Sequence, residues 1–554
     1  MSDQIEVCFK DGSGKQITRN TSCLELVNEE QQKYKYKIIA AKINNDLVEI
    51  NEKIVNPCTI EFLDLSSSDG NEVYVRGLKY LFIKAVKDVL GYPTKIMIEH
   101  SIDKGIYCEI MADINENIIK NIEDRMKQIV SQNMSIDKLN VSRKEAIEYF
   151  NNIGRSDKGG TLDFMTQGNI TLYRLDNLYD YFFGPMPIST GYIDRFALTF
   201  IAPRGVVLRY PTIYSPDVIP EYVHHEKILE VFKEYNDWGK NVGINSVVDL
   251  NNKIMNGLAS EVIKISELNQ NNKLYKIAED IYNKKNIKIV LIGGPSSSGK
   301  TTLSHKLSLY LKNMGFNPEP IGLDDYYVNR VDTPRDENGE YDYESIDAID
   351  INLFNDHLTR LLNGEEVDIP RYNFITGEKE FNNRKLRLKE NDILIIEGLH
   401  GLNEKLTSSI SRANKYKIYI SPLTALNIDD HNRIPTSLVR KLRRIVRDHQ
   451  FRGYEAIETM EQWKKVRLGE EKYVFPFQDD ADIVFNTALI YELSVLKVYV
   501  EPLLFSIKED SEYYNEARRI IRFLDLFLPI TTKDIPQDSI LREFIGDSYF
   551  KGIV

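Results

Sequence analysis

Residues 287–302 read IKIVLIGGPSSSGKTT, an apolar run that leads into a glycine-rich segment. The apolar run predicts a buried strand, and the following TTLSHKLSLYLKNM has the periodicity of a helix. Between them, residues 294–301 fit G-x-x-x-x-G-K-[ST], whose glycines let the backbone curl so that its N–H groups face an anion. The predicted phosphate contacts are Gly294, Pro295, Ser296, Ser297, Ser298, Gly299, Lys300, Thr301 and Thr302.

Two side chains of this loop have predicted roles of their own. Lys300 is expected to reach the β and γ phosphates of a nucleotide, and the Thr301 hydroxyl to bind Mg²⁺. The helix that starts near Lys300 adds its positive N-terminal dipole. The sequence therefore predicts ATP and Mg²⁺ as the cofactors of a phosphate-binding site.

Further apolar, strand-like runs alternate with amphipathic helices after this loop, at residues 393–396, 417–420 and 482–485. Near-continuous apolar strands separated by helices indicate a parallel sheet that is covered on both faces. We therefore predict an α/β fold for the C-terminal half.

Two acids follow predicted strands of this sheet: Asp324 in LDDYY and Glu397 in IIEG. Ligands of open α/β sheets collect at the carboxyl ends of strands, where Asp324 is placed to take the proton of an attacking hydroxyl. Glu397 has the position of an acid that helps to hold Mg²⁺ in phosphate-loop enzymes. Aspartate is also common in solvated turns and helix caps, and this segment alone leaves both interpretations of Asp324 open.

A basic run follows in an otherwise acidic chain. Such a run is usually a solvated face, but in a phosphoryl-transfer enzyme it can close over phosphates and stabilise the transition state. Helical spacing places Arg440 with Arg444 on one face and Arg443 with Arg447 on another. The basic residues are Arg440, Lys441, Arg443, Arg444, Arg447 and Arg452.

Composition limits the alternatives. The net charge is −12 over 554 residues, so nothing in it attracts nucleic acid or an anionic membrane globally. The start lacks a secretion signal, no apolar stretch is long enough to span a membrane, and the four cysteines suggest neither a zinc site nor a disulfide framework. We expect a cytoplasmic protein with two to four domains, since a single core rarely exceeds about 300 residues.

The N-terminal half has a different pattern. Residues 1–64 indicate short strands and turns, SSSDG at 66–70 indicates a linker, and residues 71–225 indicate a mixed α+β region. Residues 226–284 are polar with helical periodicity, typical of a helical connector.

The C-terminal half resembles the uridine kinase and phosphoribulokinase family of P-loop kinases. GGPSSSGKTT, LDDYY, SIDAID, PRYNF, IIEGLHGL and RRIVRDHQFRG occur in the order of that family. The resemblance implies that Asp324 is the base and that Glu397 lies near Mg²⁺. It further implies substrate contacts at Asp347, Tyr372, Phe374 and Gln462, and lid arginines at Arg444, Arg447 and Arg452. Two positions depart from the family pattern: Gly377 stands where a base-reading histidine is expected, and Tyr454 where an arginine is expected.

The N-terminal half resembles two parts of threonyl-tRNA synthetases. Residues 1–64 are similar to the ubiquitin-like TGS domain, a β-grasp fold, and residues 65–225 to the second domain, which carries the editing site. The four editing positions correspond to Arg76, Tyr80, Phe182 and Met186. None of these side chains can do the work of the family's histidines and cysteine, so we expect no hydrolysis by that mechanism.

Together these observations predict four domains: residues 1–64, 65–225, 226–284 and a P-loop kinase at 285–554. The expected activity is transfer of the ATP γ-phosphoryl group to a hydroxyl of a small metabolite, a nucleoside such as uridine or cytidine. One alternative is another hydroxylated acceptor such as a sugar phosphate, with Arg371 and Lys379 supplying positive charge. The other is a nucleotide-dependent regulatory or RNA-associated protein. A homo-oligomer is compatible with all three.

Overall fold

The computed structural model describes residues 4–337 and 339–550. A five-stranded sheet packed on one helix opens the chain. The sheet order is β2-β1-β5-β3-β4, with β1 antiparallel to β2 and parallel to β5, which is the β-grasp arrangement expected here. The elements are β1 (Gln4–Phe9), β2 (Gly14–Thr18), α1 (Cys23–Glu30), β3 (Ala40–Ile43), β4 (Asp46–Glu49) and β5 (Cys58–Leu63).

The second region is a mixed α+β unit built on one long helix. Two antiparallel sheets pack with it, in the orders β11-β12-β7-β6 and β10-β9-β8. The elements are α2 (Ser68–Leu90), β6 (Ile96–Ile102), β7 (Gly105–Ile110), α3 (Glu116–Ser131), β8 (Asp137–Ser142), α4 (Arg143–Asn152), α5 (Ser156–Asp163), β9 (Asn169–Leu175), β10 (Leu178–Asp180), β11 (Ala197–Ile201) and β12 (Gly205–Arg209).

The predicted linker at residues 66–70 was wrong. The helix α2 already begins at Ser68, and the side chain of Ser67 accepts a hydrogen bond from the Gly70 amide as its N-cap. Serine and aspartate favour helix N-caps as strongly as they favour turns, so the composition of this stretch did not distinguish the two.

Three helices follow: α6 (Glu226–Val242), α7 (Val247–Met255) and α8 (Ala259–Asn283). They do not stand apart from the C-terminal half, because Leu250 of α7 and Ile277 of α8 belong to the same buried cluster as Val290 and Leu303. The boundaries at 64, 225 and 284 stay predictions.

The C-terminal half is a five-stranded parallel sheet with helices on both faces, as predicted. The sheet order is β14-β19-β13-β20-β23. Its elements are β13 (Ile289–Gly293), α9 (Lys300–Asn313), β14 (Asn317–Gly322), α10 (Ile351–Leu362), β15 (Val367–Asp368), β16 (Arg371–Asn373), β17 (Glu378–Glu380), β18 (Lys385–Leu386), β19 (Asp392–Gly398), β20 (Lys415–Ser421), β21 (Asn427–Asp429), β22 (Asn432–Arg433), α11 (Thr436–Arg447), α12 (Ala456–Tyr473), β23 (Ile483–Asn486), α13 (Glu492–Phe505), α14 (Tyr514–Leu524) and α15 (Arg542–Ile545). None of the described helices is both long and apolar enough to cross a membrane.

A buried charge cluster joins the second region to the β21–β22 hairpin. Lys158 of α5 is fully buried and pairs with Asp180 at 2.6 Å and with Asp429 of the hairpin at 3.1 Å. Tyr181 donates to Asp429 at 2.7 Å, and His431 of the hairpin pairs with Asp180. The cluster fixes the hairpin against the second region, because each buried charge depends on a partner from the other side.

Lys158→Met is therefore expected to loosen this junction. The change leaves Asp180 and Asp429 buried without their cation, which costs about 3–5 kcal/mol for comparable buried pairs. Thermal unfolding should start at a lower temperature, and amide hydrogen exchange should accelerate in the β21–β22 hairpin.

Lys144→Met is the matched control, because Lys144 is 86% exposed and its ion pair with Glu148 is long, at 3.9 Å. It should change neither property. A Lys158→Met protein that unfolds like the control would show that the cluster does not hold the junction.

Candidate active site

Three strands bring their carboxyl ends to one edge of the parallel sheet. Glu397 at the end of β19 pairs in register with Ile292 of β13 on one side and with Gly322 of β14 on the other. The phosphate-binding loop, residues 294–301, leaves β13 at this edge. Asp324 follows β14 in a short 3₁₀ turn, Leu323–Tyr326. The register thus brings the predicted loop, base and metal-site acid together.

The loop is curled by two residues with positive φ, Ser297 at 58° and Gly299 at 91°. Lys300 turns back over it, and its Nζ donates to the carbonyl oxygens of Gly294 and Pro295, both at 3.1 Å. The backbone curl and the ammonium together form a concave, positively polarised surface of the kind that binds phosphate.

The oxygens expected to hold Mg²⁺ lie side by side. The Thr301 hydroxyl donates to Glu397 Oε1 at 3.0 Å, so one ion can reach both oxygens. Hydroxyl and carboxylate oxygens are ligands that Mg²⁺ prefers. No group of three or more His, Cys, Asp or Glu residues suited to a metal occurs in the described part of the chain. These residues fit an ion that takes its remaining ligands from phosphate and water.

Carboxyl groups around Lys300 are hard to ionise. Burial raises the pKa of Glu397 to about 7, with Lys300 opposing the shift and Asp324 adding to it. The surrounding protein also raises the pKa of Asp324, although its side chain keeps access to solvent, and Lys300 and Arg452 oppose the shift. Burial likewise raises the pKa of Glu344, an acid that we did not predict, to about 7. Such a group of acids favours a bound cation or a proton.

Asp324 differs from Glu397 in having no protein partner. Its carboxyl makes neither a hydrogen bond nor an ion pair within residues 4–337 and 339–550. The neighbouring Asp325 is instead tied to Arg384 at 2.9 Å. Asp324 is therefore the acid of this pair that is free to contact a ligand.

The basic helix α11 is divided between structure and site. Arg440 is buried and pairs with Glu470 of α12 through both terminal guanidinium nitrogens. It also donates to the Ser296 carbonyl at 3.1 Å. The Ser296 amide donates to the same Glu470 carboxylate at 2.9 Å. Arg443 is also buried and binds Glu492 at 2.7 Å. These two arginines brace the loop from behind.

The three predicted lid arginines surround one buried acid. Asp448 lies 3.2 Å from Arg444, 2.7 Å from Arg447 and 3.6 Å from Arg452. Three guanidiniums share one carboxylate, which leaves excess positive charge for an anionic ligand. Arg444 also donates to the Ser296 hydroxyl at 2.9 Å and to Gln462 at 3.3 Å, so Gln462 contacts the lid in this structure.

The other predicted substrate residues lie on a separate wall. Tyr372 and Phe374 contact edge to face at 5.1 Å between ring centroids, and Tyr327 contacts Tyr372 at 5.5 Å. Phe374 is 62% exposed. Asp347 is exposed, and its carboxyl has no partner among the described residues.

Arg330 occupies the space beside Gly377, where the resemblance implies a histidine. A Cβ at Gly377 would lie 2.8 Å from Arg330 Nε, and the glycine has φ of 75°. Arg330 donates from its amide to the Gly377 carbonyl at 2.7 Å and from its guanidinium to the Phe374 carbonyl at 2.7 Å. No local sequence pattern pointed to this arginine, because it lies 47 positions before the glycine.

The four editing-related positions are packed side chains. Tyr80 contacts Phe182 edge to face at 5.3 Å and donates to the backbone of the second region. Arg76 donates to the Pro185 carbonyl, and Met186 is fully buried. The absence of hydrolysis there stays a prediction.

The C-terminal segment contacts the loop directly. The carboxylate of Glu543, which is 5% exposed, accepts a hydrogen bond from the Thr302 amide at 3.1 Å. A Cβ at Gly299 would lie 2.6 Å from Ile540 Cγ2. Thr302 is in the first turn of α9, where backbone amides are expected to face phosphate. A carboxylate of the chain itself thus holds one of the predicted phosphate donors.

Glu543→Gln should strengthen the binding of ATP. The change removes a negative charge that competes with phosphate for the Thr302 amide, and a charge at a helix N-terminus typically contributes about 0.3–1 kcal/mol, an effect of about twofold to fivefold. Isothermal titration calorimetry with Mg-ATP measures it.

The matched control is Asp547→Asn, on the same segment but 88% exposed and 3.7 Å from Arg542. It should leave ATP affinity unchanged. Weaker ATP binding by Glu543→Gln would mean that the carboxylate supports the nucleotide site instead of competing with it.

Comparison with known proteins gives different matches for the two halves of the chain. Residues 289–493 match the model of the Phosphoribulokinase / Uridine kinase family. In the N-terminal region, threonine–tRNA ligases are similar: that of Syntrophotalea carbinolica is 28% identical over 201 residues, and that of Finegoldia magna 30% over 203 residues. Each match covers 36% of this chain and 32% of the ligase, so the chain spans about a third of the length of these relatives.

Two solved structures are also similar. A putative fructose transport system kinase from Silicibacter sp. TM1040 is 15% identical, with a TM-score of 0.28, and the match covers 38% of this chain and 98% of that one. A possible uridine kinase from Bacillus stearothermophilus is 21% identical, with a TM-score of 0.25, over 36% and 89% of the two chains. Residues 289–493 are thus similar to the Phosphoribulokinase / Uridine kinase family, and the N-terminal region is similar to threonine–tRNA ligases.

Proposed function

We propose that the C-terminal region transfers the γ-phosphoryl group of ATP to a hydroxyl of a nucleoside such as uridine or cytidine. The observation that carries this proposal is the free carboxyl of Asp324 at the same sheet edge as Lys300 and the Thr301–Glu397 pair. A phosphate site, a metal site and an unpartnered base at one edge are the parts that phosphoryl transfer to a hydroxyl requires.

The phosphate side of the reaction depends on positive charge held in place. Lys300 and the loop amides bind the phosphate chain, and Arg444, Arg447 and Arg452 stabilise the charge that develops on the transferred group. Thr301 and Glu397 hold Mg²⁺, which when bound neutralises phosphate charge. Because the arginines are already fixed around Asp448, little reorganisation is needed when the charge develops.

On the acceptor side, Asp324 orients the attacking hydroxyl and takes its proton. Asp347 is free to accept hydrogen bonds from other hydroxyls of the acceptor, and the Tyr372–Phe374 pair offers an aromatic surface for a planar base. Arg330 supplies donors beside this surface, in place of the histidine that the family resemblance implies. Hydrogen bonds to keto oxygens of a pyrimidine are within its chemistry.

An acceptor with a second anionic group, such as a sugar phosphate, is less well supported. Of the two cations considered for it, Lys379 is tied to Asp350 at 2.6 Å, and only Arg371 is without an ion pair in the described residues. An RNA-associated regulatory role finds little support in a chain with net charge −12.

The direct test is Mg-ATP turnover with a panel of nucleosides and sugar phosphates, with the product identified by mass. We expect a nucleoside monophosphate from uridine or cytidine. Lys300→Ala is the control and should form no product while keeping its fold. Product from a sugar phosphate alone, or ATP hydrolysis stimulated by RNA with no phosphorylated metabolite, would replace the proposal by one of its alternatives.

Asp324→Asn should lower the transfer rate by about 10²–10⁴-fold, the usual contribution of a general base, while Mg-ATP still binds. Asp325→Asn is the matched control and should retain transfer, since Asp325 is paired with Arg384. Single-turnover kinetics and ATP titration separate the two effects. Normal transfer by Asp324→Asn would remove this residue from the role of base.

The pH dependence of transfer checks the ionisation of Asp324 and Glu397 together, because desolvation by the surrounding protein raises the pKa of both carboxyls. Only the ionised form of Asp324 accepts a proton, and only the ionised form of Glu397 suits Mg²⁺. The rate should therefore fall as pH is lowered through the pKa of Asp324, which lies above the value of about 3.9 for a free aspartate. A rate that stays flat down to that value would contradict the assignment.

A further inference from the structure

A cavity of about 560 Å³ lies where the second region, the helix α6 and the C-terminal region meet. Its walls come from β6, α6, the chain after β20 and the chain after β23, and no residue of the phosphate-binding loop lines it. The volume is in the range of about 300–1,000 Å³ that is typical of small-molecule sites. Nothing in the proposed transfer reaction uses it.

Glu99 lines one wall of the cavity and lies at a β-bulge in β6. The register of β6 against β7 shifts between Ile98 and His100, so Glu99 has no partner across the strands. Bulges of this kind redirect a side chain out of the regular alternation. Glu99 is 7% exposed, and its Oε2 accepts weak hydrogen bonds from Asn236 at 3.3 Å and Asn427 at 3.4 Å.

Glu99 is the acid of this cavity with the weakest partners, two side-chain amides at 3.3 and 3.4 Å. The other acidic residues of the lining each have a protein partner: Asp157 with Arg155 at 2.8 Å, Asp429 with Lys158 at 3.1 Å, Asp430 with Lys95 at 3.1 Å, Glu492 with Arg443 at 2.7 Å, and Asp249 with the Ser246 amide at 3.0 Å. Within the part of the chain that the structure describes, Glu99 forms no ion pair. A buried carboxylate without a cation is costly, so the cavity favours a ligand that supplies one.

The rest of the lining suits the apolar body of such a ligand. Trp238, Met97, Leu423 and Leu426 present indole, thioether and aliphatic surface to the same space. An aromatic ring also attracts a nearby ammonium through its π face.

We propose that this cavity binds a small organic amine, whose ammonium group pairs with Glu99 and whose apolar body packs on Trp238 and the leucines. Neutral or anionic molecules of the same shape do not supply that positive charge and should bind more weakly.

An occupant would contact an element that leads to the phosphate-binding loop. Asn427 donates to Glu99 and begins the β21–β22 hairpin, which continues into α11. Val439 of α11 lines the cavity, and the next residue, Arg440, donates to the loop carbonyl of Ser296. The amine site therefore adjoins the helix that braces the loop.

Calorimetric titration of the full chain tests the proposal with three primary amines, hexylamine, phenethylamine and tryptamine, each beside its alcohol isostere. At least one amine is expected to bind, and its alcohol to bind about tenfold more weakly or not at all. Glu99→Gln should weaken the amine by about the same factor.

The matched variant is Glu230→Gln, which makes the same substitution at an exposed residue of α6 that does not line the cavity. It should bind the amine like the unchanged protein. No binding by any of the three amines, equal binding of the alcohols, or full affinity in Glu99→Gln would each overturn the proposal.

The pH dependence of amine binding tests the same site without a variant. Burial raises the pKa of Glu99 to about 7, and Glu109 of β7 and Asp430 of the hairpin add to the shift, while Asn236 and Lys240 of α6 oppose it. The carboxylate is needed for pairing, so affinity should rise as pH increases from about 6 to about 8, whereas the ammonium stays protonated. An affinity that does not change over this interval would contradict pairing with Glu99.

Discussion

The buried carboxylate of Glu470 holds the phosphate-binding loop in its shape. The carboxylate accepts hydrogen bonds from the Ser296 amide at 2.9 Å and from both terminal guanidinium nitrogens of Arg440. It also pairs with Arg467 at 3.0 Å. Burial alone would raise its pKa, yet Arg440 and Arg467 hold the pKa of Glu470 below its ordinary value. A charge so deeply buried is tolerated only when every oxygen is satisfied, so the loop, α11 and α12 depend on one another.

This constraint explains why a strongly basic helix occurs in an acidic protein. Arg440 and Arg443 form buried ion pairs with Glu470 and Glu492, and their aliphatic stems pack in the interior of the C-terminal region. The arginines around Asp448 instead share a single carboxylate, so they present excess positive charge at the sheet edge. Arg440 and Arg443 fix the helix against the loop. The arginines around Asp448 are therefore already ordered when phosphate binds.

Much of the site follows from local sequence pattern. The loop follows the apolar strand β13, Asp324 follows β14, and Glu397 lies at the end of β19, and the carboxyl ends of parallel strands must meet at one edge. Glu470, Glu543 and Arg330 carry no such pattern: each reaches the site from a distant segment, and its role depends on the packing of that segment. The serine-rich stretch before α2 shows the same limit locally, because a cap and a linker use the same residues.

The β21–β22 hairpin gives the N-terminal region a physical connection to the site. Lys158 anchors the hairpin at Asp429, and Ile98 of β6 donates from its amide to the Asp430 carbonyl at 2.7 Å. The hairpin is thus held on two sides by the second region and runs, within a few residues, into the helix that carries Arg440. The second region is therefore connected to Ser296 through packed backbone and buried charge. In this structure the second region thereby fixes the position of the hairpin from which α11 continues.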